Sequence, residues 1–327
     1  MDNYPVSANS IGEYFRVNGN NLSQQYKNHL SDYKAWEQRD HAGEWVLFPD
    51  NIGTRLCIDE VALSDGELYT VLTNADSKCQ KGSLIAMVKG VKSSAVSLVL
   101  EKIPRQKRDK VVEISLDMAN NMKRIAEDNF VNARIVTDRF HVAQLISESV
   151  QALRIEHRWA AIKQENAMIA QCREKGEKYE AETFDNGDTR RQLLARSRHL
   201  LFKPSSKWTG SQITRAGVLF REYPDLKEAY DYSMMFRNIY QTENSIEEAR
   251  VSISAWGQKV RESKLEPFNT AVDAIDRHID TILNFFVSRT TNALAEAFNS
   301  KLKAFRSVFR GVRDVSFFLY RVSLIFG

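Results

Sequence analysis

The sequence predicts an α/β protein in which a mixed, five-stranded sheet with flanking helices is interrupted by a large all-α insertion. Short β-branched and aromatic runs, which are typical of strands, are concentrated between residues 54 and 138. Helix-compatible stretches separate the last of these runs, and strand signals then stop between about residues 142 and 285. A share of 43% apolar residues suits the buried core that such a fold needs.

The sheet is predicted to begin with antiparallel strands. Residues 55–59 and 68–73 are apolar runs separated by a short polar segment, which is the pattern of a β-hairpin. Residues 83–88, bounded by Gly82 and Gly90, predict a third strand. Short connections of this kind join antiparallel neighbours.

The next elements alternate between helix and strand. A helix is predicted over residues 93–103, with a serine at position 93 or 94 as its N-cap. Strands follow at 111–117 and 133–138, with a helix at 119–129 between them. Because parallel strands need such crossovers, this part of the chain makes the sheet a mixed one.

The helical region contains three tryptophans, Trp159, Trp208 and Trp256. Large aromatic side chains are most often core anchors, and this is the expectation for all three. Trp208 has an alternative role, because its indole could stack on a base that is extruded from a DNA duplex.

The chain is therefore predicted to have three parts. Residues 51–145 and 286–327 form one domain around the sheet, and residues 146–285 form a helical insertion domain. Residues 1–50 are a short N-terminal segment whose role the sequence leaves open.

The composition argues against several classes of protein. Three cysteines without CxxC spacing give no indication of a zinc ribbon or a disulfide framework. No stretch approaches the roughly 20 apolar residues that span a bilayer, and no secretory signal is evident, so we expect a cytoplasmic protein without a membrane partner. A net charge of +4 is compatible with nucleic-acid binding but does not by itself indicate it.

Three aspartates close apolar strands in the predicted sheet: Asp59, Asp117 and Asp138. In open sheets, functional groups gather beyond the carboxyl ends of the strands, so these positions suit chemistry. The alternative for each is a turn residue or a helix N-cap, and Asp117 stands directly before a predicted helix.

A predicted C-terminal helix over residues 290–310 has two different faces. At about 100° per residue, an apolar stripe that must pack on a core is formed by Phe298, Leu302, Phe305 and Phe309. On the opposite side, within roughly 80° of Glu296, lie Asn292, Asn299, Lys303, Arg306 and Arg310. This polar face is either a solvated surface or a metal-binding carboxylate followed by cations that bind phosphates.

Carboxylates in such positions suit the chemistry of phosphodiesters. Cleavage or transfer needs an activated oxygen nucleophile and a stabilised leaving oxygen, and two Mg²⁺ ions with shared acidic ligands provide both. Mg²⁺ prefers oxygen ligands and keeps positions open for water and phosphate. Such a site needs no cluster of histidines and cysteines.

Four segments resemble the DDE transposases of bacterial insertion sequences in the ISL-three group, especially a branch in which a separate small protein accompanies the catalytic one. They are CIDE at 57–60, SLDM at 115–118, VTDRFHV at 136–142 and TNALAEAFNSKLK at 291–303, followed by RGVR at 310–313. The resemblance runs from about residue 54 to the last residue, and the shared order of the motifs makes it specific.

The resemblance implies an RNase H-like fold with a helical insertion before the last catalytic helix. It implies that Asp59, Asp117 and Glu296 are catalytic acids that hold two Mg²⁺ ions, for which Mn²⁺ can substitute. Asp138 and His141 match a D-x-x-H signature and are expected to support the site or contact DNA. Asp138 is also the rival of Asp117, but in an RNase H-like order the strand after the first helix carries the second acid.

The same resemblance implies the partners. They are double-stranded DNA, as terminal inverted repeats and target, and a second copy of the chain, since synapsis of two DNA ends suits a homodimer. Supporting or DNA-contacting roles fall to the polar face of the last helix, at Asn292, Asn299, Lys303, Arg306 and Arg310. Longer relatives carry zinc-binding and helix-turn-helix segments that read the element ends, so here that task can fall to a separate small polypeptide.

The function implied is metal-dependent cleavage at element ends and transfer of the 3′-OH to target DNA, in the cytoplasm at the nucleoid. Two other functions stay open at this point. One is an RNase H-like nuclease or resolvase without transfer, and the other is a catalytically idle DNA-binding protein of transposon origin.

Overall fold

The structure, a computed structural model, describes residues 1–63, 66–289, 293–309 and 312–327. The strands within these ranges are β1 (Trp45–Leu47), β2 (Arg55–Ala62), β3 (Leu68–Asn74), β4 (Leu84–Lys89), β5 (Glu113–Leu116) and β6 (Arg134–Thr137). The α-helices are α1 (Ala8–Phe15), α2 (Gly19–Gln25), α3 (Ser93–Leu100), α4 (Arg105–Arg108), α5 (Asn120–Asn129), α6 (Arg139–Glu174), α7 (Arg190–Arg196), α8 (Gly210–Glu222), α9 (Pro224–Thr242), α10 (Ile246–Glu262), α11 (Glu266–Arg277), α12 (Ile279–Leu283), α13 (Phe285–Ser288), α14 (Ala293–Val308) and α15 (Val315–Phe326). A π-helix at Tyr26–Leu30 and 3-10 helices at Asp32–Ala35, Pro49–Asn51, Ala75–Ser77 and Ser205–Lys207 complete the set.

The chain divides into two compact units. The sheet unit comprises Met1–Asp138 and Arg289–Gly327, and the helical unit comprises Arg139–Ser288. The N-terminal segment, whose role the sequence leaves open, belongs to the sheet unit. The assignment of functional domains to the chain stays a prediction.

The sheet has the strand order β1-β4-β3-β2-β5-β6. The pairs β1/β4, β3/β4 and β2/β3 are antiparallel, whereas β2/β5 and β5/β6 are parallel. This mixed sheet with flanking helices confirms the predicted fold class, and all five predicted strands are present. The sixth strand, β1, has only three residues, which is too short for its sequence to show an alternating pattern.

Two local expectations about the sheet unit are wrong. Asp59 does not end its strand, because β2 stays paired with β3 as far as Ala62, opposite Leu68. The N-cap of α3 is Lys92, without a side-chain cap, and Ser93 is already inside the helix.

Apolar side chains cover both faces of the sheet. On one face, Ile58 and Ile114 join a core with residues of α3 and α5, such as Val96 and Ile125. On the other face, a second core contains residues of α14 and α15 together with Val61 of β2. The predicted apolar stripe of the last motif is confirmed, since Phe298, Leu302 and Phe305 are fully buried there.

The N-terminal segment packs against α15 through aromatic rings. The ring centroids of Tyr33 and Phe317 are 5.1 Å apart, and those of Trp36 and Tyr320 are 5.3 Å apart. Edge and tilted contacts of this kind are favourable beyond the apolar area that they bury. Tyr33 is thereby buried, and Trp36 packs against the core of the sheet unit.

The helical unit confirms the predicted run of helices and tests the three tryptophans. Trp256 is fully buried, as expected, and its indole N–H donates to the Tyr232 carbonyl at 2.9 Å. Trp208 packs against Tyr230 with its N–H bonded to a backbone carbonyl, which favours the core role over base stacking. The core expectation is wrong for Trp159, which is 65% exposed.

Among the described residues, no helix combines the length and apolar character that crossing a membrane requires.

The buried stripe of α14 generates a prediction about stability. Phe298→Ala removes a fully buried ring from the core between α14 and the sheet, and we expect the free energy of unfolding to fall by about 3–5 kcal/mol. Urea denaturation of the full chain measures this change. The matched control Leu98→Ala, at an exposed position of α3, is expected to change stability by less than about 0.5 kcal/mol. Equal losses in the two variants would contradict the packing described.

Candidate active site

The three aspartates come shortly after residues that are paired side by side in three neighbouring strands. Cys57 of β2 pairs with Ser115 of β5, and Ser115 pairs with Val136 of β6. Asp59, Asp117 and Asp138 each lie two residues further along their parallel strands. The three therefore lie at the same level of the sheet, and Asp117 belongs to the strand between the other two.

Asp59 is held by hydrogen bonds to both of its carboxylate oxygens. Its Oδ1 accepts from the Glu60 backbone N–H at 2.7 Å, and its Oδ2 accepts from the Asn299 amide of α14 at 2.7 Å. The same Asn299 nitrogen also donates to the Glu60 carbonyl at 3.4 Å. Asn299 is only 7% exposed, and this part-buried hydrogen bond to a charged acceptor joins α14 to β2.

Asp117 is half-buried and shapes the turn that follows β5. Its Oδ1 accepts from the Ala119 N–H at 2.8 Å, a turn that leads into α5. The expected structural role of Asp117 is therefore real, although the N-cap residue itself is Ala119. The turn uses the Oδ1 atom of Asp117, and this hydrogen bond is compatible with a second role for the carboxylate.

Asp138 is more deeply buried than Asp117, with 1% of its surface exposed. Its backbone N–H donates to the Leu116 carbonyl, which continues the ladder between β5 and β6. The pKa of the Cys57 thiol is raised to about 12, chiefly by burial, and the charges of Asp138 and Asp59 act in the same direction. The charge of Asp138 thus acts on Cys57, which lies on the same strand as Asp59.

Glu60 faces the opposite side of the sheet from Asp59, as the alternation of a strand requires. Its Oε1 accepts from the Asn121 amide of α5 at 3.4 Å. Burial raises the pKa of Glu60, and the nearby charges of Asp117 and Asp59 act in the same direction. The Asn121 bond partly offsets these effects.

Glu296 lies in the first turn of α14 and is half-buried. The residue before it, Ala295, is buried beside Cys57, and its backbone is hydrogen-bonded to the Cys57 thiol. Asp59 lies two positions beyond Cys57 on the same strand. The start of α14 therefore runs beside the part of β2 that carries Asp59.

The predicted polar face of α14 has members in different environments. Lys303 is exposed, whereas Arg306 is half-buried and donates to the Ala62 carbonyl of β2 at 2.9 Å. Asn292 and Arg310, which the sequence places on the same face, lie outside the described residues. His141 lies in the first turn of α6, in the helical unit.

The donor chemistry of this region fits a hard divalent cation. Asp59 and Asp117 each offer carboxylate oxygens, and Asn299, which contacts Asp59 through its Nδ2 atom, has an Oδ1 atom that is buried and has no hydrogen-bond partner within the described part of the chain. Oxygen donors of this kind are the ligands that Mg²⁺ prefers. Across residues 1–63, 66–289, 293–309 and 312–327, however, no three acidic, histidine or cysteine side chains converge closely enough to hold an ion.

Comparison with known proteins identifies the family. The family model of the ISL-three group of DDE transposases, described as "Transposase", matches residues 56–322, a range that contains nearly all of β2, the strands β3 to β6, the helical unit and α14. The chain belongs to this family.

Two curated relatives are similar over most of the chain. Both are named transposase for insertion sequence element IS1557, one from Mycobacterium tuberculosis strain CDC 1551 / Oshkosh and one from strain ATCC 25618 / H37Rv. Each is 23% identical over 267 residues, which is 80% of this chain and 57% of the relative. The chain thus spans little more than half the length of these relatives.

The contact between Asn299 and Asp59 generates a second prediction. Asn299→Ala removes a buried hydrogen bond to a carboxylate, and we expect it to lower the free energy of unfolding by about 1.5–3 kcal/mol. Chemical denaturation measures the loss. Lys303→Ala, one turn further along α14 at an exposed position, is the matched control and is expected to change stability by less than about 0.5 kcal/mol. An Asn299→Ala protein as stable as this control would show that the contact is unimportant.

Proposed function

We propose that the chain is the catalytic polypeptide of a Mg²⁺-dependent DNA transposase. It cleaves phosphodiester bonds at the ends of an insertion sequence and joins the liberated 3′-OH to target DNA. The observation that carries this proposal is the placement of Asp59 and Asp117 at one level of neighbouring parallel strands, with α14 joined to Asp59 through Asn299. Membership of the transposase family supports the same reading.

In this proposal the acids have separate roles. Asp59 and Asp117 would hold the ions from the sheet, and Glu296 would contribute a further carboxylate ligand from α14. When bound, the ions activate the attacking oxygen and stabilise the leaving oxygen. The Asn299 amide fixes the orientation of the Asp59 carboxylate. We also propose that Glu296 comes closer to the aspartates when ions bind.

Two observations favour Asp117 over Asp138 as the second acid. Asp117 follows β5, the direct parallel neighbour of β2, whereas Asp138 follows β6, one strand further away. Asp117 is also half-buried, while Asp138 is almost fully enclosed, and a ligand that meets both an ion and DNA must be accessible. In this proposal Asp138 and His141 have supporting roles.

The proposed partners follow from the reaction. They are double-stranded DNA, both as element ends and as target, and a second copy of the chain that brings two ends together. Lys303 is exposed on the helix that carries Glu296 and can bind a backbone phosphate. A separate small polypeptide is proposed to recognise the terminal repeats, in the cytoplasm at the nucleoid.

Substitution of the aspartates tests the assignment. Asp117→Asn is expected to abolish strand cleavage and joining in Mg²⁺ while it leaves DNA binding intact, because it removes an ion ligand without removing side-chain volume. Asp138→Asn serves as the matched variant and is expected to retain cleavage, although at a lower rate. Both are measured by gel analysis of a labelled duplex that carries an element end.

The outcomes separate the candidate functions. Undiminished cleavage by Asp117→Asn together with loss of cleavage in Asp138→Asn would transfer the second role to Asp138. Cut ends that are never joined to a second duplex would indicate a nuclease or resolvase instead of a transposase. A wild-type chain that binds DNA but neither cuts it nor binds Mn²⁺ would identify an idle DNA-binding protein.

A further inference from the structure

A concave opening in the helical unit is lined by four arginines. It has a volume of about 920 Å³ and follows one face of the long helix α6. We call this opening the arginine pocket. Its four arginines are Arg154 and Arg158 of α6, Arg198 from the turn after α7, and Arg237 of α9. Of the described residues that line it, Glu148 alone is acidic.

These arginines differ from many others in the same unit. Carboxylate partners within ion-pair distance are present for Arg190, Arg191, Arg196, Arg215, Arg221, Arg250 and Arg261. Within the described part of the chain, none of the four arginines of the pocket has such a partner. Their guanidinium groups therefore make no direct ion pair among the described residues of this unit.

The hydrogen bonds that these arginines do make are to neutral groups. Arg154 is 5% exposed and donates to the Gln151 side-chain carbonyl at 2.7 Å and to the Leu194 carbonyl at 2.8 Å. The Nε atom of Arg158 is buried and has no hydrogen-bond partner among the described residues. A buried donor without a partner lowers the stability of the fold. An anion that enters the pocket could accept a hydrogen bond from the Nε–H group of Arg158.

Like charges lie close together in this pocket. Arg154 and Arg158 are four residues apart on α6, a spacing at which like charges destabilise a helix. Burial lowers the pKa of the Arg154 guanidinium, and the charges of Arg158 and Arg198 lower it further. Because this arrangement is unfavourable for folding, it indicates a site for an anionic ligand.

Exposed aromatic rings line the same opening. Trp159 is 65% exposed and Phe140 is 54% exposed, and both belong to α6. Guanidinium groups bind phosphates through paired N–H donors, and exposed aromatic faces stack on bases that are not paired in a duplex. A positively charged groove with aromatic side chains is the common architecture of sites for single-stranded nucleic acid.

We propose that the arginine pocket binds an unpaired stretch of a DNA strand, with phosphates on Arg158, Arg198 and Arg237 and a base stacked on Trp159. Arg154 is a positioning residue, since its hydrogen bonds join α6 to the end of α7. The source of such a strand rests on the proposed function, because cleavage of a duplex produces ends that can open. A continuous duplex fits less well, since its bases are already stacked on each other and cannot reach an indole.

Binding of a labelled single strand tests this proposal. The probe is a fluorescein-labelled oligothymidylate of about 20 nucleotides, longer than one such site requires. Its anisotropy is measured with the full chain in Ca²⁺ over a range of salt concentrations, beside a duplex of the same length. The variants are Arg158→Gln with Arg198→Gln, and Trp159→Ala. The matched control, Lys163→Gln with Arg173→Gln, removes two charges from exposed positions of α6.

The proposal predicts different results for the variants. The double arginine variant is expected to bind the single strand at least tenfold more weakly, and the slope of log Kd against log salt should fall by about 0.7 for each lost phosphate contact. Trp159→Ala is expected to weaken single-strand binding by about tenfold and to leave duplex binding almost unchanged. The control should stay within about twofold of the wild type, as expected for charges outside the site.

Several outcomes would overturn the proposal. Single-strand binding by the arginine variant that equals that of the control excludes the pocket as the site. A wild-type chain that has no affinity for the single strand would also exclude the pocket as a binding site. Loss of self-association in sedimentation, with DNA binding unchanged, would identify a protein interface instead. Arg198→Glu, at an exposed position, repeats the test with a variant that leaves the half-buried Arg158 unchanged.

The two proposals fail in different ways. If the wild type cleaves duplex DNA and the arginine variant binds the single strand normally, only the pocket is wrongly assigned. If the wild type never cleaves DNA but the variants lose single-strand binding as predicted, the pocket stands and the transposase function fails.

Discussion

The packing of α14 on the sheet is the interaction on which the geometry of the sheet unit depends. Phe298, Leu302 and Phe305 are fully buried in a core that also includes β2 and α15. Because a helix is rigid, burial of this stripe fixes the rotation of α14 about its axis and so determines where its polar face lies. Glu296 and Asn299 therefore owe their positions to residues that have no chemistry of their own.

The strands supply the second constraint. Parallel pairing of β2, β5 and β6 sets one register, and that register places three aspartates at one level of the sheet. The Asn299 amide then joins the two constraints, since it donates from α14 to the Asp59 carboxylate. Apolar packing and backbone pairing together build the acidic site, and the carboxylates oppose folding unless they are hydrogen-bonded or bind cations.

Much of this arrangement is predictable from the sequence, for identifiable reasons. Alternation and turn residues predict the strands, and helical periodicity predicts that Phe298 is buried on the face opposite to Glu296. The bond between Asn299 and Asp59 is not predictable, because it joins residues 240 positions apart whose approach depends on tertiary packing. The sequence does not predict that Trp159 is exposed or that the arginine pocket forms. Both depend on how separate helices pack, since the residues of the pocket come from different parts of the helical unit. The spacing of Arg154, Arg158 and Trp159 on one helix is the signal that could have indicated that site.

The central claim is that Asp59, Asp117 and Glu296 together hold the metal ions, and direct measurement of Mn²⁺ binding tests it. Electron paramagnetic resonance of free Mn²⁺ counts the bound ions without any need for catalysis. In the presence of duplex DNA, we expect about two ions per wild-type chain, fewer with Glu296→Gln and none with Asp59→Asn combined with Asp117→Asn. Unchanged Mn²⁺ binding in the double aspartate variant would contradict the account.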